Sequence, residues 1–386
     1  MVCAVADCRG VETNGSLYDI VNADRETEVS AVFLEGQLRF LEEARCVNHA
    51  AAFDCGERAA VVTTRGDIVE SEHHVCHIVV DKHGAALEAR GDVDRPVYMR
   101  SSAKPLICAT IVASGAADRF AFSDQEIAIA AGSHSGEPYH VDAVESMLRK
   151  IGLDESALQC GAHAPIHEPS AQALCKSGES PSAIHNNCSG KHAAILALAV
   201  HRGAPVSTYL ARDNPAQAEI LASCAELLQL SESDLIVGTD GCGIPVIAVS
   251  MRAAARFYAK LAEPDQFPQR FRAALARLCD SMTKYPQYVA GSGRFDTDLM
   301  RTAAGTVVCK GGAEGYHASA ALGLGLGMTA KVADGNYRAI APFVMDRLQR
   351  RAALDAEQLQ ALERHRRPAI RNHAGRTVGE IRVLRL

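Results

Sequence analysis

Strand-like texture gathers at both ends of this chain and helical texture fills its middle, and that distribution narrows the fold more than any other feature. Val75-Cys76-His77-Ile78-Val79-Val80 reads as a strand, Lys82-His83-Gly84 as a turn and Ala86-Leu87-Glu88-Ala89 as the returning strand. Near the other end, Gly305-Thr306-Val307-Val308-Cys309 and Met328-Thr329-Ala330-Lys331-Val332 read as strands, and the second runs into Asp334-Gly335, a hairpin signal. Residues 376–386 add a last candidate strand. Between the ends, helical periodicity covers 105–114, 126–131, 141–151, 191–202 (stopped by Gly203), 215–228 and 266–282. The expected class is α+β: one antiparallel sheet drawn from both termini, with a helical region inserted. The alternation Gly323-Leu324-Gly325-Leu326-Gly327 lacks the strand-before, helix-after setting of a dinucleotide loop and reads as close packing.

The chain has 386 residues, 48% hydrophobic and 22% charged, an ordinary globular balance for a length that can bury a large core. Residues 1–58 differ in texture. They hold Cys3, Cys8, Cys46 and Cys55 with one plausible helix over 31–44, and read as an N-terminal extension of doubtful structure or a wrongly chosen upstream start. The main domain is expected over 59–386. A net charge of -6 without a basic stripe argues against nucleic acid. No run of about 18 apolar residues is present, so no membrane span is expected. Without an export signal the thirteen cysteines should be mostly reduced thiols in a cytoplasmic protein.

Ser101 and Lys104 form a Ser-x-x-Lys string between an extended segment, Pro96 to Met99, and an apolar helical run. Three residues apart on a helical turn, they share a face. A desolvated lysine, or one beside a second cation such as Lys310, is neutral enough to accept a serine proton. The ordinary alternative is that Ser101 or Ser102 caps the helix and Lys104 is solvated. Gly132-Ser133-His134-Ser135-Gly136-Glu137 is a polar loop whose Ser133 could relay a proton or act as nucleophile. His134, Glu137 and His140 there read as metal ligands or as solvated loop residues. In Asn187-Cys188-Ser189-Gly190-Lys191-His192, Asn187 or Ser189 is a candidate cap for the following helix. Cys188 and Cys242, the latter in Asp240-Gly241-Cys242-Gly243, read as two buried thiols or as zinc thiolates. Gly291-Ser292-Gly293-Arg294-Phe295-Asp296-Thr297-Asp298 reads as an ordinary surface loop, a pocket wall or a contact with a partner subunit.

Taken in order, Arg100-Ser101-Ser102-Ala103-Lys104-Pro105, the Ser133 loop, the Cys188 string, the Cys242 turn and Lys310-Gly311-Gly312 resemble the rhizobial-type, class 3 L-asparaginases, also called the asparaginase II family. The resemblance runs from about residue 59 to the C-terminus. It implies a fold of the serine β-lactamase/glutaminase kind, a homodimer, and hydrolysis of L-asparagine to L-aspartate and ammonia. It implies two serine–lysine pairs, Ser101 with Lys104 and Ser133 with Lys310. It also implies a zinc ion held by Cys188, Lys191 and Cys242 that supports binding more than chemistry. Arg100, Asn187, His192 and Asp240 would bind the amino acid's charged ends. Lys310 is followed by Gly-Gly where β-lactamases have Thr-Gly, and no Ser-Asp-Asn element is evident, which speaks against a β-lactam substrate. The rival expectations are a glutaminase or penicillin-recognising acylase on the same scaffold, or a non-catalytic zinc- or amino-acid-binding protein.

Overall fold

The computed structural model describes residues 53–385. Among these, strands from both chain ends pair as expected, but they divide into three antiparallel sheets. The largest has the order β4-β3-β10-β9-β8, with β3 at Val75–Asp81, β4 at Ala86–Arg90, β8 at Val307–Gly312, β9 at Tyr316–Ala321 and β10 at Leu326–Val332. A second sheet is ordered β11-β12-β1-β2, with β1 at Val61–Arg65, β2 at Ile68–His73, β11 at Ala369–Arg371 and β12 at Thr377–Val383. A third joins β5 (Pro96–Tyr98), β7 (Pro245–Ser250) and β6 (Ile236–Thr239).

The single expected sheet is split because β2 and β3 are separated by one residue, His74, where the chain leaves one sheet and enters the other. That bend carries no glycine or proline. Both larger sheets nevertheless tie the two chain ends together, β3 lying on β10 (Val75 opposite Val332) and β1 on β12 (Val61 opposite Val383).

The helices that matter for the site are α1 (Lys104–Ala113), α2 (Asp124–Ala130), α3 (Pro138–Lys150), α4 (Ser189–Arg202), α5 (Pro215–Leu228), α6 (Met251–Lys260), α7 (Gln269–Lys284), α8 (Phe295–Ala303) and α9 (Ile340–Arg350). Six of these match the expected helices; α4 ends on Gly203 at φ 65°, the left-handed conformation that glycine adopts without strain. Helix α6 lies on one face of the five-stranded sheet, where a Cβ on Gly327 would land on the Ala255 carbonyl and the Ala259 amide. Close packing accounts for Gly327 of the glycine alternation but not for Gly323, whose added Cβ would meet nothing within 4 Å. Helix α9 covers the other face, its Phe343 meeting His77 edge-on at 4.9 Å between ring centroids.

Two local expectations are corrected. Asp334-Gly335 is not a hairpin turn. Asn336 Oδ1 accepts the Arg338 amide at 3.2 Å, and this capped turn feeds α9. The string 291–298 is a loop only to Arg294, and α8 begins at Phe295. Cys55 forms a disulfide with Cys76 of β3, so residues 53–58 of the segment read as an extension are stapled to the main sheet. The other described cysteines are free thiols. The helix expected over 31–44, with Cys3, Cys8 and Cys46, lies outside the described residues.

Candidate active site

The chain leaves β5 and makes a single 3-10 turn, Arg100–Ala103, before α1 starts at Lys104 with Pro105 in its first turn. Arg100 sits at φ 50°, in a left-handed region that costs a non-glycine residue roughly 1–3 kcal/mol. Its guanidinium is held by the Asp240 carboxylate, Nε to Oδ1 at 2.9 Å, which fixes the residue immediately before Ser101. Neither Ser101 nor Ser102 caps the helix. The Ser102 hydroxyl donates to the Lys310 carbonyl at 2.7 Å, tying the turn to β8.

Lys104 is not solvated. It is 1% exposed, and Lys310 is likewise 1% exposed. The Lys104 amine reaches three oxygens: the Gly132 carbonyl at 2.5 Å, Ser133 Oγ at 3.0 Å and the Asn187 carbonyl at 3.3 Å. Burial pushes this amine below its usual pKa, against the opposing pull of the Cys188 sulfur. The lysine in contact with Ser133 is therefore Lys104, while Ser101 stands one turn ahead of it on the wall of the adjoining cavity with Arg100, Lys191 and Asp240. Lys310, the partner that the resemblance implies for Ser133, donates instead to the Gly311 carbonyl at 2.6 Å and lies 3.9 Å from Asp296. Burial drives its pKa down to about 7, with Asp296 opposing and Lys104 and Arg294 assisting.

Ser133 is placed by backbone. Its amide donates to the Val289 carbonyl at 2.7 Å, and the rest of its loop is clamped against 290–292. Ser135 donates to the Ala290 carbonyl at 2.8 Å, and Glu137 accepts from the Ser292 amide at 2.8 Å and hydroxyl at 2.7 Å. His134 and His140 serve this scaffold. Each accepts a backbone amide at Nδ1, from Gly136 and Glu137 respectively, both at 3.1 Å, which leaves Nε2 to donate to Ser189 Oγ and to the Gln287 carbonyl. These bonds use both nitrogens of each ring, and both Glu137 oxygens accept from Ser292, so the three side chains hold the loop in place.

Asn187, Cys188 and Lys191 come from the start of α4, yet neither Asn187 nor Ser189 caps it. Asn187 Oδ1 accepts from the Cys188 thiol at 3.2 Å, and Ser189 donates to the Ile184 carbonyl at 2.8 Å. The Lys191 amine lies 2.9 Å from Cys242 Sγ. A hydrogen bond from Cys242, helped by the charges of Lys104 and Lys191, holds the Cys188 thiol well below its usual pKa. Burial pulls the Lys191 amine down, but the two sulfurs outweigh it and keep that amine charged. His192 is fully buried behind them, Nδ1 at 2.7 Å from the Tyr209 hydroxyl.

This arrangement places two depressed lysines, two serines and a thiol pair within one polar centre. The description of the L-asparaginase II family matches residues 61–383. The chain belongs to that family. A crystal structure of Mglu in its native form in the presence of 4.3 M NaCl overlaps 74% of this chain and 63% of that one, at 17% identity and TM-score 0.34. Another Mglu crystal structure overlaps 74% and 69%, at 16% identity and TM-score 0.33. The chain spans less than two thirds of the first of these, and overlaps this loose carry no argument about the site. No curated protein matches the chain.

Sequence reasoning passed over two residues of this asparaginase II site, Arg294 and Asp296. Both lie in the string for which surface loop, pocket wall and partner contact stood open, and the structure buries Asp296 beside Lys310. Asp296 Oδ2 accepts the Gly311 amide at 2.7 Å and Oδ1 meets His317 Nε2 at 3.2 Å. Burial alone would raise the Asp296 pKa, but the His317 bond and the charges of His317 and Lys310 hold it well below the carboxylate range. Asp296, Cys309 and His317 bring ligand-type atoms within 4.8 Å of one another, but both carboxylate oxygens already have these partners and Lys310 sits beside them. The signal for Asp296 was only its position behind Gly-Ser-Gly-Arg. No local pattern marks a carboxylate that will face a lysine on a strand.

Proposed function

We propose that the protein hydrolyses L-asparagine to L-aspartate and ammonia through a serine ester, on a scaffold of the serine β-lactamase/glutaminase kind. The observation that carries this reading is the environment of Lys104. Two carbonyls and one serine hydroxyl surround a buried amine whose charge is disfavoured. When the amine is neutral, the carbonyls take its two N–H groups and its lone pair faces the hydroxyl, the arrangement a general base needs.

Ser101 Oγ attacks the side-chain amide carbon, giving its proton to Ser133 Oγ as Ser133 gives its own hydroxyl proton to Lys104. The C–N bond then breaks, and Ser133, bonded to the same amine, hands the proton on so that the leaving group departs as ammonia. Water attacks the ester, returns a proton to Ser101 and frees aspartate. Asp296 balances the Lys310 charge at the edge of the centre.

Zinc suits Cys188, Lys191 and Cys242. Two sulfurs and the Lys191 amine, once it sheds its proton to the metal's charge, would offer soft S and N donors. When bound, zinc would supply that positive charge beside the substrate.

Ammonia release from asparagine and glutamine, with mass analysis of a rapidly quenched reaction, tests the proposal. Asparagine turnover with an added aspartyl mass on the Ser101 peptide is expected. Label on Ser133 would exchange the serine roles, and Lys104→Met at wild-type rate would sink the mechanism.

A further inference from the structure

The cations around the centre are matched to partners with one exception among the described residues. Arg100 is paired with Asp240 at 2.9 Å and has Glu314 at 4.0 Å. Lys104 is surrounded by three oxygens, Lys191 faces the thiols and Lys310 faces Asp296. Arg294 forms no ion pair among the described residues. Its only side-chain hydrogen bonds among the described residues are two long ones from Nη1, to the Ser133 carbonyl at 3.4 Å and to Ser135 Oγ at 3.3 Å. The carboxylate of the loop it packs on, Glu137, is already taken by Ser292 and by the Tyr139 hydroxyl at 3.0 Å.

The position is held firmly. Arg294 follows the Ser292–Glu137 clamp and is the N-cap residue of α8, so its backbone is fixed while its partly exposed side chain reaches the Ser133 carbonyl and Ser135 Oγ. Its charge is felt by Lys310. A guanidinium with unused donors, next to the Ser133–Lys104 pair, fits a carboxylate that it can grip with two parallel hydrogen bonds. In asparagine the α-carboxylate is separated from the amide carbon by two carbons, so one molecule can present the amide to the serines and the carboxylate to Arg294. The candidate named by the resemblance, Arg100, is neutralised by Asp240 and lacks this freedom.

We propose that Arg294 receives the substrate's α-carboxylate and is the specificity-determining residue for amino-acid amides over simple amides. This rests on the amide-hydrolase reading above. A simple amide would leave the guanidinium unpaired, and discrimination by a missing partner is strong.

The test compares wild type, Arg294→Gln and Arg294→Lys in ammonia release from L-asparagine, with 3-aminopropanamide, which is asparagine without its carboxylate, as competitor. For Arg294→Gln the KM for asparagine should rise roughly 10- to 100-fold while kcat changes far less, the range expected for a hydrogen bond to a charged group. Asparagine should lose most of its advantage over the competitor, and Arg294→Lys should regain part of it. A misfolded variant would lose kcat and leave the competition ratio of its active fraction unchanged, and so would separate from this outcome. An unchanged KM and ratio in an active Arg294→Gln protein would overturn the inference alone. No ammonia from wild type and asparagine would remove the parent reading and this inference with it.

Discussion

Lys104 and Lys310 owe their chemistry to burial, because an ammonium withdrawn from water is costly unless charge or hydrogen bonds compensate it. Lys310 makes the consequence measurable. Its amine falls from the usual 10.5 to about 7 in the folded chain. Between those values the unfolded chain holds a proton that the folded chain has released, so stability rises with pH across that window and is flat below it. Lys310→Met removes this slope. Its urea midpoint relative to wild type should be most favourable below pH about 7 and should decline steadily toward pH about 10. An equal difference at both ends would show that the amine is not suppressed. The residue itself was visible in Lys310-Gly311-Gly312, but its depressed proton affinity was not. That depends on Asp296, Lys104 and Arg294, each distant in sequence and close in space.

Between elements, the critical seam is β8 against the 3-10 turn that carries Ser101. A Cβ added to Gly312 would meet the Met99 carbonyl at 2.7 Å and Ser102 Oγ at 3.2 Å, so the strand could stay only by pushing the turn away. Gly312→Ala should therefore destabilise by about 1–3 kcal/mol and lower kcat as Ser101 shifts from Lys104. Gly323→Ala is the control, since nothing lies within 4 Å of its added Cβ. Thermal melts and ammonia release on both variants check this; equal behaviour would show that the seam yields. The glycine pair was legible as a string, and the helices around it were legible from periodicity to within a few residues. Helix α8 was not, because its polar, glycine-led start mimics a loop and its buried face is set by β8.

Across the molecule, both larger sheets are closed by strands from opposite chain ends, so the fold is complete only when the C-terminal strands return. A chain ending at Pro368 lacks β11 and β12 and exposes the paired edge of β1, where Val61, Val62 and Thr63 lose Val383, Arg382 and Ile381. Such an edge recruits other chains. The truncated protein should aggregate and melt at a lower temperature, and a monodisperse species with an unchanged melt on size-exclusion would contradict this. The amino-acid sequence by itself determined the α+β class, most helices, the pairing of ends and the five strings that carry the family resemblance, because periodicity and turn chemistry are local. Only the tertiary structure decided that Ser133 meets Lys104, that Arg100 is spent on Asp240 and that Arg294 is left free. Those outcomes are set by which long side chains share a dry space, and residues 29 to 161 positions apart decide that together.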